Sequence, residues 1–154
     1  MASRSKDTAG SASASEHEKD YYSWLTQQAR LVREGRWDAI DRESLAKEIE
    51  QLAEEQFNKL EGALHLLLVH LLKWDHPAIR RSRGRSQSIQ SQRLAVSELL
   101  ARNPGLKARS ADALARSFRR ARADVAQETA LDESSFPAKC PYDWDEIAAR
   151  EFAV

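Results

Sequence analysis

Glu50, Glu54, Glu61 and His65 come nearest, by residue type and spacing, to a metal site in this chain. At 100° per residue they share one stripe of a helix, and carboxylates with an imidazole are the ligands a bound cation needs. Di-iron bundles combine inward glutamates with Glu-x-x-His, because two cations need bridging carboxylates as well as terminal imidazoles. Here Glu61 and His65 are four positions apart and no Glu-x-x-His occurs. The stripe therefore reads first as a solvated acidic face with one packed histidine, with Glu61 and His65 kept as metal-ligand candidates and no metal assigned. His70 sits in the apolar stretch LLLVHLLKW. It is expected to be partly buried and hydrogen-bonded, and as a general base it would need a second polar group and a concave pocket. Cys140 lies beside Lys139, and a cation next to a thiol lowers its pKa, the first requirement of a nucleophile. A buried small apolar role is the commoner use. His70 and Cys140 are the candidates for catalysis.

Arginines supply a different chemistry. Arg80, Arg81, Arg83 and Arg85 fall in RRSRGRSQS, and Arg116, Arg119, Arg120 and Arg122 cluster further on. Together they could contact several phosphates. No Trp or Tyr lies between residues 75 and 141, which argues against stacking on single-stranded bases. A Gly-rich phosphate loop, a Gly-x-Ser-x-Gly elbow and His-Glu-x-x-His are all missing from the sequence, so no cofactor is implied.

The residues that must position these groups form a helical pattern. From Ile40 to Trp74 the chain has no Pro, and Leu45, Ile49, Leu52, Leu60, Leu64, Leu67, Leu71 and Trp74 repeat near every 3.5 residues. The spacing predicts one long helix, roughly 50 Å at 1.5 Å per residue, whose apolar seam is buried by its neighbours. Asp41 is placed to cap its start and Pro77 to follow its end. A first helix is expected from about Glu16 to Glu34, with Tyr21, Trp24, Leu25, Gln28 and Leu31 as its apolar stripe, ended by Gly35, with Trp37 packing the turn. Residues 80–88 read as a basic, mobile loop. Ile89, Val96, Leu99 and Leu100 mark a third helix stopped by Asn103-Pro104-Gly105, and Leu114, Phe118, Ala121 and Val125 a fourth reaching about Leu131. Phe136-Pro137 and Cys140-Pro141 force extended chain, after which Asp143 could cap a short helix through Arg150.

Composition agrees with this pattern. The chain has 154 residues, 42% of them hydrophobic, with only five Gly and four Pro. That suits an all-α bundle of four main helices around one long helix, plus a short terminal one. Residues 1–15 are Ser/Ala/Gly-rich and read as a disordered leader before a single helical domain at 16–154. The longest apolar run is too short for a membrane span, so a cytoplasmic protein with no membrane partner is expected. The lone cysteine excludes an internal disulfide.

A net charge of zero hides strong segregation. Residues 16–76 carry thirteen acids against eight bases, residues 80–122 twelve bases against two acids, and residues 124–154 eight acids against two bases. The economical reading pairs basic helices with acidic ones, within the chain or with a second copy. An external anion such as nucleic acid is the alternative.

Several blocks resemble a known family. Asp20-Tyr21-Tyr22-x-Trp24, Asp41 followed by Leu45-Ala46-x-Glu48-Ile49-Glu50, and His70-Leu71-Leu72-Lys73-Trp74 are similar to the signature blocks of the bacterial domain of unknown function 29 family. Ile89-x-x-Gln92-Arg93, Asn103-Pro104-x-Leu106, Ala121-Arg122 with Glu128-Thr129-x-Leu131, and Phe136-Pro137-x-x-Cys140-Pro141 follow in the family's order. The chain departs from the pattern at Gly84-Arg85, where the family usually has Ser-Trp, and at Lys47, where it has glutamate. The resemblance implies an α-helical bundle without an established activity, cofactor or catalytic residue set. The expected role is a protein-interaction or regulatory module, with a protein partner or a homo-oligomer. Anion binding through Arg80, Arg81, Arg83, Arg116, Arg119 and Arg120, or a metal- or His-dependent enzyme, are the alternatives.

Overall fold

The structure, a computed structural model, describes His17 and residues 19–152. The leader expected at residues 1–15 lies outside the described residues. Among those described, the fold is all-α: α1 (Tyr21–Arg33), α2 (Arg42–Asp75), α3 (Arg83–Arg102), α4 (Ser110–Thr129) and α5 (Trp144–Ala149), with 3-10 turns at Pro104–Arg109 and Glu133–Ser135 and no strand. None of these helices is long and apolar enough to cross a membrane. The chain divides into two compact units, Met1–Glu54 and Glu55–Val154.

Local signals set the helix ends. Asp20 accepts the Ser23 amide at 3.0 Å to start α1, and Gly35, at φ 69°, follows its last turn in the left-handed region that favours glycine. Asp41 accepts the Ser44 amide at 3.2 Å to start α2, and Ser82 the Arg85 amide at 3.3 Å to start α3. Asp143 and Glu146 form a reciprocal capping box at α5.

In the first unit, Trp24, Gln28 and Leu31 line the buried side of α1. The Gln28 side-chain carbonyl accepts the Asp41 amide at 2.9 Å, tying α1 to the start of α2. Glu48 accepts hydrogen bonds from Tyr21 and, at 3.0 Å, from His17, whose ring meets Trp24 edge-on at 4.5 Å.

In the second unit, the continuation of α2 is the central element. Phe57, Leu60, Leu64, Leu67, Leu68, Leu71 and Trp74 are buried against Ile89 and Val96 of α3, Phe118, Ala121 and Val125 of α4, and Phe136, Tyr142 and Ile147 of the C-terminal segment. Each fully buried leucine contributes roughly 1.5–3 kcal/mol, so this seam dominates the unit's stability. Polar pairs set the direction of α4. Glu61 faces Arg116, His65 faces Asp124 and Lys73 faces Glu128, so residue numbers climb together and α4 runs in the same sense as α2.

Four sequence expectations are corrected. Residues 83–88 are helical rather than a loop: Ser82 caps the helix, and the Ser86 and Ser88 hydroxyls return to carbonyls one turn back, so the helix satisfies the serine hydroxyls itself. The seam is dry only in its second half, because Ile49 and Leu52 are 59% and 58% exposed. Trp37 is exposed rather than packed in its turn. Tyr21, expected on the apolar stripe of α1, is half exposed and spends its hydroxyl on Glu48.

Candidate functional site

The residues proposed for metal binding are parted by their partners on α4. His65 Nε2 lies 2.7 Å from an Asp124 oxygen, while Glu61 faces the Arg116 guanidinium at 3.5 Å and its backbone carbonyl accepts the Ser117 hydroxyl at 3.0 Å. Glu61 and His65 thus each turn to a different residue of α4. Among the described residues no three His, Cys, Asp or Glu side chains converge on one point where a cation could sit.

His70 is half-buried, and its Nδ1 is shut off from solvent without the expected hydrogen-bond partner among the described residues. Burial and the cations of Lys73 and Arg85 hold its pKa below the ordinary imidazole range, so the ring is neutral at pH 7. Cys140 departs from its expectation in direction. Burial pushes the thiol up, and its Sγ turns to the Tyr142 carbonyl at 3.5 Å, so Lys139 does not activate it.

The arginines divide. Arg81 donates to the Trp74 carbonyl at 3.1 Å and lies over the Trp74 ring, Arg116 bonds Asp112 and Glu61 and approaches the Phe57 ring, and Arg122 pairs with Glu133. Arg80, Arg83, Arg119 and Arg120 are exposed. Among the described residues, the side chains of Arg83, Arg119 and Arg120 enter no ion pair.

The densest unforeseen constellation lies at the C-terminal end of α2. Asp75 receives Arg150 on both carboxylate oxygens, at 2.8 and 2.5 Å, and the Tyr142 hydroxyl at 3.0 Å. Burial alone raises the Asp75 pKa, but those three donors outweigh it and leave the carboxyl below its usual range. The Arg150 guanidinium is raised in turn by that hydrogen-bonded pairing. Tyr142 is pushed up by burial and by the adjacent carboxylate, so it stays a neutral donor.

A second arginine holds the helix that carries Arg150. Arg93 of α3 donates to the carbonyls of Glu146, Ile147 and Arg150, the unsatisfied end of α5. A guanidinium there answers both the free carbonyls and the negative end of the helix dipole. Phe152 completes the closure, edge-on to Trp74 at 5.3 Å and beneath the Arg93 guanidinium at 4.8 Å.

These contacts border a pocket of about 300 Å³, with Leu72, Phe136 and Pro141 as apolar walls and Asp75, His76 and Glu146 as polar ones. The Ala78 amide donates to His76 Nδ1 at 3.3 Å, so the neutral ring carries its proton on Nε2. Asp75 spends its two oxygens on Arg150 and Tyr142; here the carboxylate is an anchor. The pocket can seat a small apolar group, and its polar rim is largely satisfied by itself. Sequence reasoning missed Asp75, Arg93, Tyr142 and Arg150. The available signal was adjacency, since Arg93 lies in one block of the family resemblance while Asp75 and Tyr142 directly follow two others.

A second feature is a set of exposed apolar side chains rather than a cavity. In the first unit Tyr22, Trp37, Ile49 and Leu52 are all more than half exposed, at 76%, 59%, 59% and 58%. Every residue from Ile49 to Glu55, two turns of α2, is exposed.

Comparison with known proteins agrees with the sequence blocks. The family described as "Domain of unknown function DUF29" matches residues 17–153. No curated protein and no solved structure matches the chain.

Proposed function

The chain belongs to the DUF29 family, and from that premise we propose that it works as a protein-interaction module in the cytoplasm, with the bare stretch of α2 as its contact surface. One observation carries this reading: Ile49 and Leu52 continue the same apolar seam that is dry from Leu60 to Trp74, yet they stand 59% and 58% exposed. Scattered surface leucines need no explanation, but two apolar residues in register with a core seam are a candidate contact surface.

Affinity capture from the native cell, with wild type compared against Ile49→Asp/Leu52→Asp as bait, tests the reading. Because both positions are exposed, the variant is expected to keep its helicity and its melting temperature. A partner retained by wild type and depleted about tenfold by the variant is the expected result, equivalent to about 1.4 kcal/mol. Identical partner sets for the two baits would remove the reading.

A second reading, anion binding, is favoured by Arg83, Arg119 and Arg120, which are exposed and without an ion pair among the described residues. It requires retention on immobilised nucleic acid that falls steeply with salt and with Arg119→Ala/Arg120→Ala. Retention insensitive to both would exclude it.

A further inference from the structure

We propose that a second cleft, formed by α3, the 3-10 turn at Pro104–Arg109 and α5, binds a small carboxylate with an aliphatic body, its head held by Lys107 and Arg93. The site lies wholly within the second unit and does not depend on the interaction-module reading.

The cleft is apolar and backed by the core. Val96 of α3 and Ile147 of α5 line it and are buried, at 4% and 2% exposure, while Leu100 and Trp144 line it half-buried and pack against the same core. Such walls stand without a ligand. The volume, about 390 Å³, falls at the lower end of small-molecule sites, roughly 300–1,000 Å³, so the body it takes is short.

Charge selects the head. Arg93 and Lys107 line the cleft, and among the described residues no acid does. Lys107 is exposed, and its ammonium enters no ion pair or hydrogen bond among the described residues. Arg93 is partly buried, yet its hydrogen-bond partners are the neutral carbonyls of Glu146, Ile147 and Arg150. Burial and the like charge of Arg150 lower the pKa of its guanidinium. A partly buried cation with no carboxylate beside it is uncompensated, and an anion in the cleft would relieve both effects. Three of its five N–H groups serve the carbonyls, which leaves two to donate. The pocket beside Asp75 differs on this point, because its guanidinium, Arg150, already meets a carboxylate. One ammonium and a part-used guanidinium suit a single negative charge, and Val96, Leu100 and Ile147 suit an alkyl chain.

Calorimetric titration and amide NMR shifts of the full chain test this, with decanoate as the probe and decanol as its neutral counterpart. Decanoate is expected to bind one-to-one with a Kd below about 1 mM, moving amides of residues 96–101, 107 and 144–148 while those of His76 and Ser135 stay in place. Decanol should bind about tenfold more weakly or worse, and Lys107→Glu should weaken decanoate about tenfold without changing decanol. Ala101→Trp, which puts an indole into the cleft, should abolish binding of both. Lys107 and Ala101 are exposed, so both variants are expected to keep the wild-type melting temperature. No binding of decanoate, equal affinity for decanol, shifts centred on His76 and Ser135, or wild-type affinity in Ala101→Trp would each overturn the inference.

Discussion

Asp75 and Arg150, seventy-five positions apart, meet in a two-pronged ion pair at 2.8 and 2.5 Å. It joins the end of the central helix to the residue that follows the last helix, and Tyr142 adds a third donor at 3.0 Å. The depressed Asp75 pKa fixes the sign of its pH dependence. Its stabilisation is fully present above the unfolded carboxyl value of about 3.9 and is lost as pH falls through the lower folded value. Asp75→Asn should therefore be less stable than wild type at pH 7 by about 1–3 kcal/mol. The gap should narrow as pH falls below about 4, as followed by urea denaturation at a series of pH values. A gap constant down to the lowest pH at which the protein folds would mean the ion pair contributes nothing.

Arg93 is expected to matter more than its partial exposure suggests. Arg93→Met keeps the apolar stem and removes three donors to the end of α5; the Glu146 carbonyl keeps the Arg150 amide, and the Ile147 and Arg150 carbonyls lose the guanidinium. The expected loss is about 2–4 kcal/mol. Hydrogen exchange localises it: amides of residues 144–150 should lose protection before those of residues 60–74. Uniform loss across the second unit would mean that Arg93 supports the whole core rather than the terminal helix.

The two halves of the apolar seam should respond differently to the same change. Leu67→Ala removes a fully buried side chain and should cost about 2–5 kcal/mol. Leu52→Ala, on the exposed half, should cost no more than about 0.5 kcal/mol. Equal losses in thermal denaturation of the isolated protein would show Leu52 to be as dry as Leu67.

Ala130 follows α4 with φ 54°, the only non-glycine with positive φ among the described residues. A side chain in that region costs about 1–2 kcal/mol, and glycine escapes it. Ala130→Gly should raise stability by about 0.5–1 kcal/mol after the entropy glycine gains on unfolding. A lower melting temperature would mean that the Ala130 methyl makes a contact worth more than the strain.

The helices and most of their ends were legible in the sequence because their causes are local. Asp41 bonds an amide three residues away, Gly35 needs only its own backbone freedom, and Asp143 finds Glu146 within one turn. The buried stripe of α4, with Phe118, Ala121 and Val125, follows from helical period alone. Residues 83–88 misled for the same local reason reversed: arginine, serine and glycine are common in loops, and Ser82 as a cap is one residue against that composition.

What tertiary structure decided has no spacing to announce it. Periodicity says that Ile49 and Leu67 share a seam, but not that Ile49 is 59% exposed while Leu67 is fully buried. Asp75 with Arg150, Arg93 with Ile147, and His65 with Asp124 join residues more than fifty positions apart. Their energies depend on where separate helices bring side chains together in space. The sequence by itself determined the helices, their caps and the segregation of charge. Only the packing decided which charges are spent on one another, as in Asp75 and Arg150, and which, as in Arg119 and Arg120, stand exposed without an ion pair among the described residues.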